Sequence, residues 1–212
     1  MVPLSARQAT LAAGALLLAI AFGAGLLVGS RAGTPGDDSV EAGFARDMAT
    51  HHAQAVDMAF LVRDKSSDHH MRTLATDIIV TQSAQRGMFM GWLQQWGLPQ
   101  ASSRPRMAWM PGHTHQPPAA EGAALMHGMA TDAEMQELAD ATGVDAEIRF
   151  LQLMIRHHEG GIVMARAVLA LSNRREIVQM ARSIEDGQGA EIALMRDMLI
   201  ARGAQPLASI LE

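Results

Sequence analysis

Met48-Ala49-Thr50-His51-His52-Ala53-Gln54-Ala55-Val56-Asp57-Met58-Ala59 returns as Met154-Ile155-Arg156-His157-His158-Glu159-Gly160-Gly161-Ile162-Val163-Met164-Ala165, an offset of 106 residues (157 − 51). Phe44 and Phe150 precede the two copies in the same register. Downstream, the same offset pairs Ala75 with Ala181, Ile78 with Ile184, Gln82 with Gln188, Gln85 with Glu191 and Leu93 with Leu199. A register held without a gap across about fifty residues marks an internal duplication.

Each copy reads as a helical hairpin. In the first, Phe44, Met48, Ala55, Ala59 and Val62 form a helical stripe over 40–63, and the polar run 64–68 turns the chain. Met71, Leu74, Ile78, Phe89, Trp92 and Trp96 share a face over 69–96, which Gly97 and Pro99 terminate. The second copy repeats this over 145–171 and 174–202, with Ser172-Asn173 at the turn and Gly203 near the end.

The intervening segment 97–144 carries Pro99, Pro105, Pro111, Pro117 and Pro118 and reads as largely irregular. Thr131-Asp132-Ala133-Glu134 has the form of a capping box opening a short helix, which Gly143 is expected to end. The chain is therefore expected to be all-α: hairpin 40–96, insert 97–144 and hairpin 145–203, forming a four-helix bundle (40–212) with one long crossover.

Composition agrees. Hydrophobic residues make up 49% of the chain and aromatics only 4%, with no tyrosine and 16 methionines, a mixture that favours helices over sheets. A net charge of −5 argues against a nucleic-acid partner. The absence of cysteine excludes disulfides and thiolate ligands, so a soft metal would have to rely on methionine and histidine.

Residues 8–30 contain no charged side chain and, as a helix, would extend roughly 34 Å, enough to cross a bilayer core. Arg7 precedes the run, and Asp37, Asp38 and Glu41 lie beyond it, which orients the body outward. The expectation is a transmembrane signal anchor over 1–31 and a linker over 32–39; a cleaved signal peptide is the alternative. Either reading exports the body.

Polar residues interrupt the apolar stripes. His51 and His52 fall roughly 40° and 60° either side of the line through Met48 and Ala55. Gln82 and Gln85 lie within about 60° of the line through Met71, Ile78 and Phe89. The repeat places His157, His158, Gln188 and Glu191 likewise. Such groups must find partners once buried.

One solution is a metal, most simply copper. Met48, His51, Met154 and His157 would be its bundle ligands, with His52, His158 and Glu191 binding or orienting, and Gln82, Gln85 and Gln188 behind them. The other is a metal-free structural or interaction module with a His/Gln hydrogen-bond network. A pH-responsive module is a third reading, because histidines titrate near neutrality. Gly161, Gly187 and Gly189 are read as permitting close helix approach.

The insert concentrates Met107, Met110, His113, His115, Met126, His127 and Met129, which suit a second or transfer site for Cu(I) or, alternatively, packing onto the bundle. Met71, Met88, Met180, Met195 and Met198 are assigned to the core; His69 and His70 are assigned to solvent. No Ser-His-Asp order and no paired carboxylates point to hydrolysis. A non-enzymatic role is expected, and homo-oligomerisation is left open.

Met126-His127-Gly128-Met129-Ala130-Thr131, followed by the second-copy motif from Phe150 to Gly161, resembles the domain of unknown function 305 family, and the first-copy motif matches its other signature. The resemblance covers roughly 44–199. It implies an exported or membrane-anchored bundle of ferritin-like shape, and a link to periplasmic copper handling. The family's methionine-rich segment is here split between Met110-Pro111-Gly112-His113 and Met126-His127-Gly128-Met129. Ferritin-like shape does not bring di-iron chemistry, which needs more bundle carboxylates than Glu159 and Glu191 supply.

Overall fold

The computed structural model describes residues 33–111 and 126–211. The apolar run 8–30 and the insert residues His113 and His115 lie outside them.

Five helices account for the regular structure of the described residues: α1 (Val40–Lys65), α2 (His69–Gln95), α3 (Asp132–Asp140), α4 (Gly143–Leu171) and α5 (Arg175–Ala201). Their starts follow from side chains that satisfy exposed backbone donors. Ser39 Oγ accepts from Ala42 N, and Asp68 accepts from the His70 and Met71 amides. Thr131 and Glu134 form the reciprocal capping box at α3.

Gly143 departs from expectation. It opens α4, at φ +56°, rather than ending α3. The earlier stop at Asp140 has a donor: Lys65 Nζ reaches back to the Leu138, Ala139 and Ala141 carbonyls, neutralising the acceptors a helix leaves at its C-terminus.

α1 packs on α2, α4 on α5, and the hairpins meet along α1 and α4. The meeting is antiparallel: Met58 shares an apolar cluster with Met154, and Met48 shares the other with Met164. The two copies grip each other reciprocally. Ser66 Oγ donates to Glu147 Oε1 (2.5 Å), and Ser172 Oγ donates to Glu41 Oε1 (2.6 Å); each residue of one pair sits 106 positions from its counterpart in the other. Likewise Arg202 pairs with Asp68 at 2.9 Å, while Arg174 lies over the Trp96 ring at 5.3 Å. A contact and its exchanged copy are the mark of a two-fold relation between repeats.

The insert is pinned to α1. Buried Asp47 accepts from Met107 N (2.8 Å) and Trp109 Nε1 (2.9 Å), and Met107 adopts φ +62°. Trp109 meets Phe44 edge-on and covers Gly43, where a Cβ would fall 2.6 Å from the indole. Burial pushes the Asp47 carboxyl up, and the two donors oppose that rise. Asp47→Ala would orphan both donors and release the strained turn, an expected loss of roughly 2–4 kcal/mol. Denaturant unfolding gives the stability change, and red-shifted tryptophan emission reports the freed Trp109; unchanged values would contradict this role.

Two further expectations need correction. Met88 is 45% exposed on the outer face of α2, not in the core. Gly187 and Gly189 face open space and permit no close approach, whereas at Gly161 a Cβ would fall 2.2 Å from Gln188 Oε1. His69 and His70 are exposed, as their place at a helix start implies.

Candidate metal centre

His51, His52, His157 and His158 are fully buried, at the level where α1 crosses α4. The His51 and His157 rings lie 3.7 Å apart between centroids and are tilted by 31°. His52 and His158 flank this pair, 6.5 Å from His51 and 6.4 Å from His157 respectively.

Three imidazoles are tied through Nε2 to an acceptor. His51 Nε2 donates to the His127 main-chain oxygen (3.0 Å), His52 Nε2 to Gln85 Oε1 (2.8 Å) and His158 Nε2 to Glu191 Oε2 (2.6 Å). In a neutral ring held this way the lone pair sits on Nδ1. The Nδ1 atoms of His51, His52 and His158 are buried without a protein partner, and so are both ring nitrogens of His157. Gln82 and Gln188 bring buried amides that are also unpartnered. Ten such atoms occur among the described residues, and nine belong to these six side chains. The unmet polar demand of the fold is concentrated in one layer.

Burial sets the electrostatics. It pushes His51 down to about 4 and His52 to about 3, and the neighbouring imidazoles push the same way. The bond to His127 partly offsets the first, and that to Gln85 the second. His157 falls well below 6.5, driven by burial and then by His51 and His158; the His51 main chain opposes this weakly without reaching hydrogen-bond geometry. Neutral imidazole is the form that ligates metals.

The methionines separate. Met48 and Met154 are both buried, but Met48 lies in the cluster with Phe44, Phe89 and Met164, and Met154 in that with Met58, Phe150 and Met195. The antiparallel crossing sends the same offset from each histidine pair in opposite directions. Met126 is buried on the Met48 side, and Met110 and Met129 pack partly buried against it. These insert methionines thus join one flank of the histidine layer.

His127 contributes its main chain, a role invisible in residue type. Gln54 clamps the same segment twice, donating to Ala130 O (2.9 Å) and accepting from Ala130 N (2.8 Å). The segment fits because Gly128, at φ +75°, lies on the Arg156 carbonyl, and because a Cβ on Gly160 would fall 1.9 Å from His127 O. Gly160→Ala is expected to cost about 1–3 kcal/mol, since the obstacle is backbone. Thermal unfolding would show it; a variant as stable as the parent would mean that the segment moves freely.

Among the described residues, no three His, Asp or Glu side chains form a group that could hold a metal ion. None of their helices is long and apolar enough to cross a membrane, and the segment on which that expectation rests lies outside them.

Similarity to known proteins follows the same outline. The signature of the domain of unknown function DUF305 matches residues 41–199. A DUF305 protein from Streptomyces coelicolor, assigned to the secreted class, is 44% identical, covering 82% of this chain and 99% of its own, with a TM-score of 0.74. A DUF305 fragment from Deinococcus radiodurans is 33% identical over 76% of this chain and 96% of its own, with a TM-score of 0.63. CopM, solved in a Cu(I)-bound form, is 25% identical over 76% of this chain and 96% of its own, with a TM-score of 0.56. Its Cu(II)-bound form matches at 28% identity over 74% and 94%, with a TM-score of 0.57. No curated protein matches. With the signature spanning most of its length and two DUF305 structures superposing on its helices, the chain belongs to the DUF305 family.

Proposed function

We propose that this chain is a non-enzymatic, extracytoplasmic binder of copper, which it holds in the histidine layer between its two hairpins. The observation that carries this reading is the set of buried ring nitrogens without protein partners, three of them on imidazoles whose other nitrogen is already tied to an acceptor. That outer bond fixes the tautomer and raises the basicity of the free nitrogen, the arrangement typical of metal-ligating histidine. His51 and His157 are the central ligands. His52 and His158 bind from the flanks, and Met48 and Met154 offer soft sulfur from opposite sides. Gln82 and Gln188 are outer partners. Copper bound there would be held by neutral imidazole and thioether, a donor set suited to Cu(I). The copper-bound forms of CopM support the choice of metal, and the secreted relative supports the location.

The metal-free network remains the competing reading, favoured by the lack of any three-residue His/Asp/Glu group. Thermal melts with and without copper, zinc and nickel separate the two. A ligand that binds only the folded state raises the melting temperature, by about 3 kcal/mol of added stability at a hundredfold excess over Kd. Copper is expected to do so; indifference to all three metals would favour the network.

A further inference from the structure

One break in the two-fold relation lies at the outer partners of the flanking histidines. The residue that accepts from His52 is Gln85, an amide only 9% exposed; its counterpart 106 positions on, accepting from His158, is Glu191, whose side chain is 25% exposed. All four histidines are fully buried, and Gln82 and Gln188 nearly so. Of these polar side chains Glu191 is the most open to solvent, and it touches a buried imidazole. Its Oε2 lies 2.6 Å from His158 Nε2, and the Nδ1 of that ring is one of the unpartnered atoms.

We propose that Glu191 is the entry residue through which a cation reaches the histidine layer, and that the Gln85 flank is its closed counterpart. The proposal rests on the copper reading above. A carboxylate at the surface attracts a cation before any desolvation is required, whereas an amide offers only a dipole. Its hydrogen bond also strengthens His158 Nδ1 as a donor beyond what Gln85 does for His52, so capture and first ligation lie on the same flank. Duplication supplied two equivalent positions; the charge and the exposure occur at one.

The repeat provides its own control. Glu191→Gln recreates the His52–Gln85 pair at His158, so the hydrogen bond and fold are retained. Gln85→Glu recreates the charged pair at His52. The experiment follows Cu(I) transfer from a chromophoric chelator to the full apo chain by stopped-flow absorbance, with final stoichiometry read at equilibrium. Glu191→Gln is expected to load about fivefold more slowly at low ionic strength, with unchanged stoichiometry, and the difference should shrink in 1 M salt. Adding Gln85→Glu to that variant should restore the rate. Loading at the wild-type rate would overturn the proposal, and so would a rate deficit indifferent to salt. Lost stoichiometry would make Glu191 an ordinary ligand and overturn it as well. A wild-type chain that takes no copper would instead sink the metal reading, and the entry role with it.

Discussion

His157→Leu is expected to raise the melting temperature of the metal-free protein and to abolish its response to copper. His157 is fully buried, and neither ring nitrogen has a protein partner. Each buried polar atom left unpaired costs on the order of 1–3 kcal/mol, while leucine of similar volume adds apolar contact at the α1–α4 crossing. The net gain is expected to be about 1–3 kcal/mol, observed as a higher denaturant midpoint. On the copper reading, such a cost is tolerated because the imidazole serves a ligand, the usual trade between stability and function. A drop in stability would show instead that the imidazole is satisfied in the folded protein, as the network reading requires. Retained copper stabilisation would remove His157 from the ligand set.

Acidification is the second large effect. His51 and His52 have folded values of about 4 and 3 against 6.5 for the free side chain, and His157 shifts in the same direction. Above pH 6.5 these rings are neutral in both states and the stability is complete. Below it the unfolded chain takes up protons that the native state refuses, so stability falls with falling pH until the folded values are reached. Each histidine contributes a loss of about tenfold in the folding constant per pH unit across that window. His51 and His52 together therefore give about a hundredfold per unit between pH 6.5 and 4, with His157 adding to it. Glu134, held near 2 chiefly by Arg156, gives up its contribution only below 4.5, so the histidine loss begins first and the two overlap only below that pH. Urea midpoints at pH 7.5 and pH 5 measure the effect. Equal midpoints would mean that His51, His52 and His157 are not buried as described.

Much of this was legible in the chain. The duplicated Met-x-x-His-His motif announced two equivalent hairpins, and Thr131 with Glu134 marked where α3 begins, because a capping oxygen is a local requirement. Helical periodicity carried His51, His52, Gln82 and Gln85 into the interior, and the repeat carried His157, His158 and Gln188 after them. What escaped the sequence was set by longer-range geometry. Met48 and Met154 hold the same place in their copies, yet the antiparallel crossing sends them to opposite sides of the histidines. Gly143 looked like a helix stop, but Lys65, far away in sequence, ends α3 first. The His127 contribution passes through a carbonyl that any residue would carry. Gly128 and Gly160 were its traces, small residues where the insert presses onto α4.

Equilibrium dialysis of the full chain against Cu(I) under reducing conditions, beside the His51→Ala/His157→Ala double variant, tests the centre of this account. Copper retained by the parent and lost from a double variant with native circular dichroism is the predicted result. Equal copper content in the two proteins would contradict it.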